Sequence, residues 1–281
     1  MTSPYQYPCE IVTEIEMSRD AIPWLTVEGD TDERLFRSRR FPRNVKIVAA
    51  DGWEGVRDVL IGANNCQHNT IVIGVIDRDY RDQNNSQPMV RGLILTDLRD
   101  IEGVMFWSSA LHRVYCELGS LEKLPKRTRG EVDYSLIRKQ IISTCAKIGL
   151  FRSYCYMSGQ SVSFRELNYA KFICDRSLNL EVSRFLDHLR GRNSGTNRID
   201  NTAWDEAQSA KHLRQEYRDP KWICHGHDLM AMVTISLRRM WGSNGGQVSR
   251  EEIESNFRVG FSDAELEATS MWGYICGYLG C

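Results

Sequence analysis

Three short apolar runs in the first third of the chain, at residues 24–27, 71–76 and 93–95, each lead into acidic residues. The carboxylates are Glu28 after the first run, Asp77 and Asp79 after the second, and Asp97, Asp100 and Glu102 after the third. Continuous apolar runs of this length are typical of strands buried on both faces of a parallel sheet. Because the carboxyl ends of parallel strands share one edge, the sequence predicts that these carboxylates gather there.

The first 107 residues alternate between strand and helix patterns. Strands are predicted at residues 24–27, 45–49, 70–76 and 92–95, and helices at residues 10–22, 32–38 and 53–61. Such alternation is typical of an α/β unit with a mostly parallel sheet flanked by helices. Farther along, helices are predicted at residues 104–118, 132–150, 164–189, 202–217, 228–241 and 249–257, with a short hairpin within 151–163. We therefore predict an α/β core at residues 1–107 and a mainly helical C-terminal region at residues 108–281.

Carboxylates grouped without nearby cysteine or histidine are typical of sites for a hard divalent cation, Mg²⁺ or Mn²⁺. Asp32 lies one helical turn after Glu28, so both side chains can point to one site if a helix begins near Asp30. Asp77 and Asp79 are two residues apart, so both side chains would lie on the same side of an extended chain and could share the ion. Such ions activate water and stabilise a leaving oxygen in phosphodiester cleavage.

Each of these acidic residues also has a structural alternative. Asp30 can be the N-cap of the helix, and Gly29 permits a sharp turn after the strand. Acidic residues at strand ends commonly cap helices or form turns. The ordered set of Glu-Gly, Asp-x-Asp and a later acidic segment favours the metal site over these roles.

The composition narrows the class of protein. The 281 residues carry a formal net charge of -1, so the overall charge does not indicate a nucleic-acid partner. Nine cysteines without a C-x-x-C pair indicate reduced thiols in a cytoplasmic protein rather than disulfides or a thiolate zinc site. No apolar run reaches the length of about 18 residues expected of a membrane helix, and no secretory signal pattern opens the chain.

Two local basic stretches, at residues 123–129 and 184–198, suggest nucleic acid despite the balanced charge. The cations that could contact phosphates are Lys123, Lys126, Arg127, Arg129, Arg190, Arg192 and Arg198. Ordinary solvated loops are the alternative for both stretches.

A histidine pair lies late in the chain, in the segment His225-Gly226-His227-Asp228. His227 at the start of a helix could act as a general acid or stabilise charge on a reacting phosphate. The alternative is a plain helix start with Asp228 as the N-cap.

The segments Val27-Glu28-Gly29-Asp30-Thr31-Asp32-Glu33 and Val75-Ile76-Asp77-Arg78-Asp79 resemble the TOPRIM domain of topoisomerases, primases and OLD-family nucleases. The segment at residues 96–102 is similar to the acidic stretch of OLD-type enzymes, and the resemblance covers residues 22–107. It implies a TOPRIM fold with a divalent-metal site and a basic residue near the scissile phosphate. The implied metal ligands are Glu28, Asp32, Asp77, Asp79, Asp100 and Glu102, and the implied catalytic residues are Glu28 and His227.

A TOPRIM core, a helical C-terminal region and no Walker A sequence resemble the stand-alone OLD-like TOPRIM nucleases of PARIS-type anti-phage defence. This resemblance implies an endonuclease effector that a separate ABC-type ATPase holds inactive. A phage trigger would release it to cleave host transfer RNA as a homodimer. The residues alone do not distinguish RNA from DNA cleavage.

Other classes of function are weighed against the endonuclease. A non-catalytic TOPRIM regulatory partner is the alternative from a different class, and the intact acidic set argues against it. The chain is too short for the DNA-gate domain of a topoisomerase, and no zinc or template-binding module of a primase is evident in the sequence.

Overall fold

The computed structural model describes residues 7–18, 21–66, 70–83, 90–193, 195, 198–243 and 247–280. Within these residues, four parallel strands form one sheet in the order β2-β1-β3-β4. The strands are β1 Trp24–Val27, β2 Lys46–Ala49, β3 Val72–Ile76 and β4 Leu93–Leu95. The predicted α/β fold with a parallel sheet flanked by helices is confirmed, and each predicted strand overlaps an observed one.

The described α-helices range in length from the single turn of α9 to the nearly seven turns of α6. They are α1 Pro8–Met17, α2 Asp30–Arg37, α3 Gly52–Asn65, α4 Ile101–Trp107, α5 Ala110–Leu118, α6 Tyr134–Met157, α7 Val182–Arg192, α8 Asn201–Gln208, α9 Pro220–Ile223, α10 Gly226–Ser236, α11 Arg250–Gly260, α12 Asp263–Glu267 and α13 Ser270–Leu279. Single 3₁₀ turns lie at Arg81–Gln83, Tyr169–Lys171 and Gln215–Tyr217, and α10 continues into a π-helical turn at Leu237–Trp241. No helix among the described residues is both long and apolar enough to cross a membrane.

The core of the sheet region lies between the central strands β1 and β3 and the helices α1 and α3. β1 is buried along its whole length, and α1 and α3 pack their apolar residues against the sheet. The buried members of this core are Ile11, Ile15, Trp24, Ala50, Val56, Val59, Leu60, Ala63 and Ile76. Gly74 of β3 is required here, because a Cβ at this position would collide with Val56 of α3 and with Thr26 of β1.

The chain divides into two compact units that are not continuous in sequence. The first comprises Met1–Asp82, Ser86–Ile101 and Phe261–Cys281, and the second comprises Gln83–Asn85 and Glu102–Gly260. The last helices thus join the sheet, whereas the predicted boundary at residue 107 grouped them with the helical region. Asp97 accounts for this, because its carboxylate accepts the backbone N–H groups of Ser270 at 2.7 Å and Met271 at 2.9 Å at the start of α13.

Three of the elements predicted after residue 150 are wrong or too long. The hairpin predicted within 151–163 is absent from these described residues, because α6 continues to Met157 and buries Phe151 and Cys155. The helix predicted at 164–189 is interrupted by left-handed backbone at Glu166 and Leu178, and only α7 is helical over a long stretch. The helix predicted at 202–217 ends as α8 at Gln208, before left-handed Ala210.

The first predicted helix is shorter than expected, and α4 and α5 replace the single helix predicted at 104–118. The sequence also predicts a lead-in at residues 1–20 and loops at residues 64–69, 81–90 and 191–195, and parts of all four segments lie outside the described residues.

A buried ion pair fixes the loop that follows β3. Arg99 and Asp82 are both buried, and the guanidinium donates to the Asp82 carboxylate at 2.7 Å. The same guanidinium bonds the carbonyl of Asp79, and the Asp79 N–H donates to the Arg99 carbonyl at 2.8 Å. Nearby, the Arg78 N–H donates to the Thr96 hydroxyl at 3.0 Å. The segment after β3 is therefore tied to the segment after β4.

Arg99→Met should lower the free energy of unfolding by about 3 kcal/mol, because it leaves the buried Asp82 charge with only the longer ion pair to Arg78 at 3.7 Å. Chemical denaturation of the variant and wild type measures the difference. The double variant Asp82→Asn/Arg99→Met should recover part of the loss, since it removes both charges. A single variant as stable as wild type would contradict the role given to this pair.

Candidate functional site

Glu28 and Asp77 meet at the carboxyl edge of the sheet. They directly follow β1 and β3, which are neighbours in the sheet. The Glu28 carboxylate accepts the backbone N–H of Asp77 at 2.7 Å, so the end of one strand positions the acidic residue of the next. Both residues are partly buried, at the place where parallel sheets commonly bind ligands.

Asp32 completes the first turn of α2. Its carboxylate accepts the backbone N–H of Gly29 at 3.2 Å, and Gly29 is the N-cap residue. Asp30 is the first residue of α2, so the alternative of Asp30 as the N-cap is wrong. The chain bends at Glu28 and Gly29, as expected, but the Gly29 φ of -147° is open to any residue, so the bend does not require glycine.

The chain is not extended at Asp79, in contrast to the alternation expected of Asp77 and Asp79. β3 ends at Ile76, and Asp79 lies in a turn with a left-handed φ of 47°. Its carboxylate forms an ion pair with Arg81 at 2.9 Å. The Arg78 side chain donates instead to the Thr96 carbonyl at 2.9 Å.

The five carboxylates of Glu28, Asp32, Asp77, Asp79 and Asp100, called the carboxylate cluster below, act electrostatically on one another. Burial, with the charges of Asp79 and Asp32, raises the pKa of Glu28 to about 7, although the Asp77 N–H and Arg81 oppose the shift. Burial, followed by the charges of Asp32, Glu28, Asp100 and Asp79, raises the pKa of Asp77 well above its ordinary value. Asp100 is fully buried. Five of the six predicted metal ligands thus lie in the first unit and interact electrostatically.

The donor chemistry of the carboxylate cluster fits a hard divalent cation. All of its donors are carboxylate oxygens, which suit Mg²⁺ or Mn²⁺. The pKa values of Glu28 and Asp77 are raised first by burial and then by the neighbouring carboxylates, and a bound cation would oppose both effects. Among the described residues, no group of three or more His, Cys, Asp or Glu side chains is arranged to hold a metal ion. The metal site therefore stays a prediction.

Glu102, the sixth predicted ligand, lies in the second unit near the start of α4. It is buried, and its charge acts on Arg250 of α11 in the same unit. Burial lowers the pKa of that guanidinium, but Glu254 and, to a smaller extent, Glu102 raise it above its ordinary value.

His227 also lies in the second unit, in the first turn of α10, and its side chain is exposed. The N-cap of α10 is His225, so the alternative that gave this role to Asp228 is wrong. Asp228 is buried and accepts two bonds from Arg152, at 2.9 and 2.8 Å, and one from the Tyr169 hydroxyl at 2.5 Å. Burial raises the pKa of Asp228, but Arg152 outweighs this and holds it below the usual range.

Arg250 sets the proton position on His227. The Nη2 nitrogen of Arg250 lies 2.5 Å from Nδ1 of His227. The Nε nitrogen of the same guanidinium donates to the Glu254 carboxylate at 2.7 Å. Because arginine can only donate, Nδ1 must accept, and the ring proton of neutral His227 lies on Nε2. In neutral His227 the donor is therefore Nε2, and Nδ1 is engaged by Arg250.

The basic stretch at 123–129 forms an exposed hairpin turn. Lys126 bridges to Val132, and the Arg127 N–H donates to the Glu131 carbonyl at 2.8 Å. Gly130 closes the turn with a left-handed φ of 84°, which leaves Arg127 and Arg129 exposed at its tip. This geometry is compatible with phosphate contacts.

The other predicted basic contacts are more engaged with the protein. Lys123 donates to the Gly242 carbonyl at 3.1 Å, and Arg192 lies 3.7 Å from the Glu166 carboxylate. Arg190 pairs with Asp187 at 2.6 Å, and Arg198 lies within 3.3 Å of the Glu206 carboxylate.

Sequence reasoning missed three cations that shape the site, namely Arg81, Arg99 and Arg250. Arg81 and Arg99 follow β3 and β4 in the same short segments as the carboxylates, so their position was a usable signal. Arg250 reaches His227 across 23 residues, and no local pattern marks it.

No protein-family model matches this chain, and no curated protein matches it. The resemblance to OLD-like TOPRIM nucleases therefore stays a prediction.

Ionising Glu28 costs stability as pH rises from its ordinary pKa of 4.5 to about 7, because the folded state raises that pKa. Glu28→Gln removes the charge and keeps an oxygen to accept the Asp77 N–H. We expect its free energy of unfolding, relative to wild type, to increase between pH 5 and pH 8 in metal-free buffer. Urea denaturation measures this, with exposed Glu54→Gln as the control. A difference that does not change with pH would contradict the shifted pKa.

His227 should carry its proton on Nε2 at pH 8 in the wild-type protein. Long-range ¹H–¹⁵N NMR of protein labelled at its six histidines reports the position, and a His227→Gln spectrum assigns the signals. Arg250→Met should make the Nδ1–H form detectable, because it removes the donor to Nδ1. Arg239→Met, which removes an exposed arginine elsewhere in the unit, should not. An Nδ1–H form in wild type would contradict the contact.

Proposed function

We propose that this protein is a divalent-metal-dependent endonuclease that hydrolyses phosphodiester bonds in nucleic acid. The observation that carries the proposal is the carboxylate cluster at the carboxyl edge of a parallel sheet, with the pKa of Glu28 raised to about 7. Helix capping alone would not require several carboxylates to lie where their negative charges repel one another. A cluster of mutually repelling carboxylates instead matches the demand of a cation site.

The proposed metal ligands are Glu28, Asp32, Asp77, Asp79, Asp100 and Glu102, with Mg²⁺ or Mn²⁺ as the ion. When bound, the ion supplies activation of water and stabilisation of charge on the leaving oxygen. The chain itself orders the ligands, since the Asp77 N–H holds Glu28 and the Gly29 N–H holds Asp32. His227 would donate its Nε2–H to an oxygen of the reacting phosphate.

The proposed nucleic-acid contacts are Lys123, Lys126, Arg127, Arg129 and Arg192. The hairpin tip that carries Arg127 and Arg129 offers the most accessible charges among them. Such contacts fix the position of the phosphate backbone without reading its sequence.

The finer parts of the proposal depend on the resemblance to OLD-like TOPRIM nucleases. These parts are a TOPRIM fold, a role as a cytoplasmic anti-phage effector, host transfer RNA as substrate, a separate ABC-type ATPase that restrains the nuclease, and an active homodimer. Cleavage of DNA is the alternative within the same chemistry.

Glu28→Gln tests the endonuclease directly, because it removes a ligand charge while keeping the side-chain shape. Wild type, Glu28→Gln and the control Glu54→Gln are expressed with and without an ATPase encoded beside the gene. Sequencing of total RNA ends and inspection of DNA integrity follow. We expect discrete transfer-RNA breaks that Glu54→Gln retains and Glu28→Gln loses.

Each other outcome has a defined meaning. Breaks in DNA that depend on Glu28 would support the nuclease and replace its substrate. Breaks that persist in Glu28→Gln, or no breaks in either polymer, would overturn the proposed function and favour a non-catalytic partner.

A further inference from the structure

Arg81 lies inside the carboxylate cluster, in the 3₁₀ turn that follows β3. Its guanidinium forms the ion pair with Asp79 at 2.9 Å and donates to the Asp77 carbonyl at 2.5 Å. The side chain is only 11% exposed. Its carbon Cζ lies 4.8 Å from the ring centroid of Trp53 on α3. Arg81 is thus held in place by an aromatic platform on one element and by two acceptors on another.

The charge of Arg81 reaches beyond Asp79. It opposes the burial and the neighbouring acidic residues that raise the pKa of Glu28, so it partly neutralises the cluster. A carboxylate oxygen that pairs with a guanidinium cannot offer the same lone pair to a metal ion. A divalent cation placed among the same carboxylates would also repel the guanidinium.

We propose that Arg81 is an internal counter-cation of the carboxylate cluster and competes with the divalent cation for Asp79. Binding of the ion then requires that the Arg81–Asp79 pair opens. Arg81 thereby weakens metal binding, and the pair keeps Asp79 ordered until the ion arrives. This inference rests on the metal site of the proposed function and concerns a residue to which that function gives no role.

Arg57 provides a matched control. Its guanidinium also lies over Trp53, at 5.0 Å from the ring centroid, but it pairs with Asp58 at 2.8 Å. Arg57→Gln therefore removes the same charge from the same platform without touching the ion pair of Asp79. Arg81→Lys is a second variant, because it keeps the charge but loses the planar guanidinium.

The experiment titrates Mn²⁺ into wild type, Arg81→Gln, Arg81→Lys and Arg57→Gln and follows free Mn²⁺ by electron paramagnetic resonance. Glu28→Gln shows whether the bound ion lies at the cluster. We expect Arg81→Gln to bind Mn²⁺ about tenfold more tightly than wild type, as removal of a nearby like charge predicts. Arg57→Gln and Arg81→Lys should stay close to wild type.

Equal or weaker binding by Arg81→Gln, with binding by wild type that depends on Glu28, would overturn the competition and leave the metal site standing. Tighter binding by both Arg81→Gln and Arg57→Gln would overturn it as well, since general charge would then be the cause. Absence of Glu28-dependent binding in every variant would overturn the metal site itself, and the inference with it.

Discussion

The carboxylate edge of the sheet depends on the buried pair of Arg99 and Asp82. The strands end at Ile76 and Leu95, and beyond them the chain has no neighbouring strand to order it. Arg99 supplies that order, because it joins Asp82 by an ion pair and bonds the carbonyl of Asp79. The position of Asp79 therefore depends on a salt bridge that takes no part in the proposed chemistry, whereas Asp77 is held by β3 and by Glu28. Burying an ion pair costs desolvation free energy, and here the pair gives the loop after β3 a defined geometry.

The protein also accepts an electrostatic cost at this edge. Burial and mutual repulsion raise the pKa values of Glu28 and Asp77, which means that the ionised cluster opposes folding near neutral pH. Residues with strongly shifted pKa values concentrate at functional sites because selection for stability alone would replace them. Arg81 reduces the cost without removing it, since one cation faces several carboxylates.

The sequence predicts well what depends on neighbouring residues. The apolar runs that become β1, β3 and β4 were evident because strands buried on both faces are apolar along their length, and the acidic residues were expected directly after these runs. The helices of the second unit were less predictable. Leu178 and Ala210 adopt left-handed backbone, which is uncommon for leucine and alanine and cannot be predicted from the residue type. The predicted helices are interrupted at these two residues.

The missed parts of the site depend on contacts between distant residues. Arg250 approaches His227, and Asp97 approaches Ser270, across gaps that no periodicity reports. The role of Asp97 was missed for the same reason. From the sequence it is one more acidic residue after a strand, but in the structure it binds the start of α13.

The anchoring of α13 by Asp97 has a consequence for the order of events during synthesis. The two partners are 173 residues apart, and the segment Glu102–Gly260 of the second unit is translated between them. A ribosome therefore finishes all four strands and all five members of the carboxylate cluster long before the helix that completes their unit emerges. Domains fold as units while the chain grows, and long-range closure is slow. The sheet unit is therefore completed only after α13 has left the ribosome, although all four of its described strands are synthesised before residue 102.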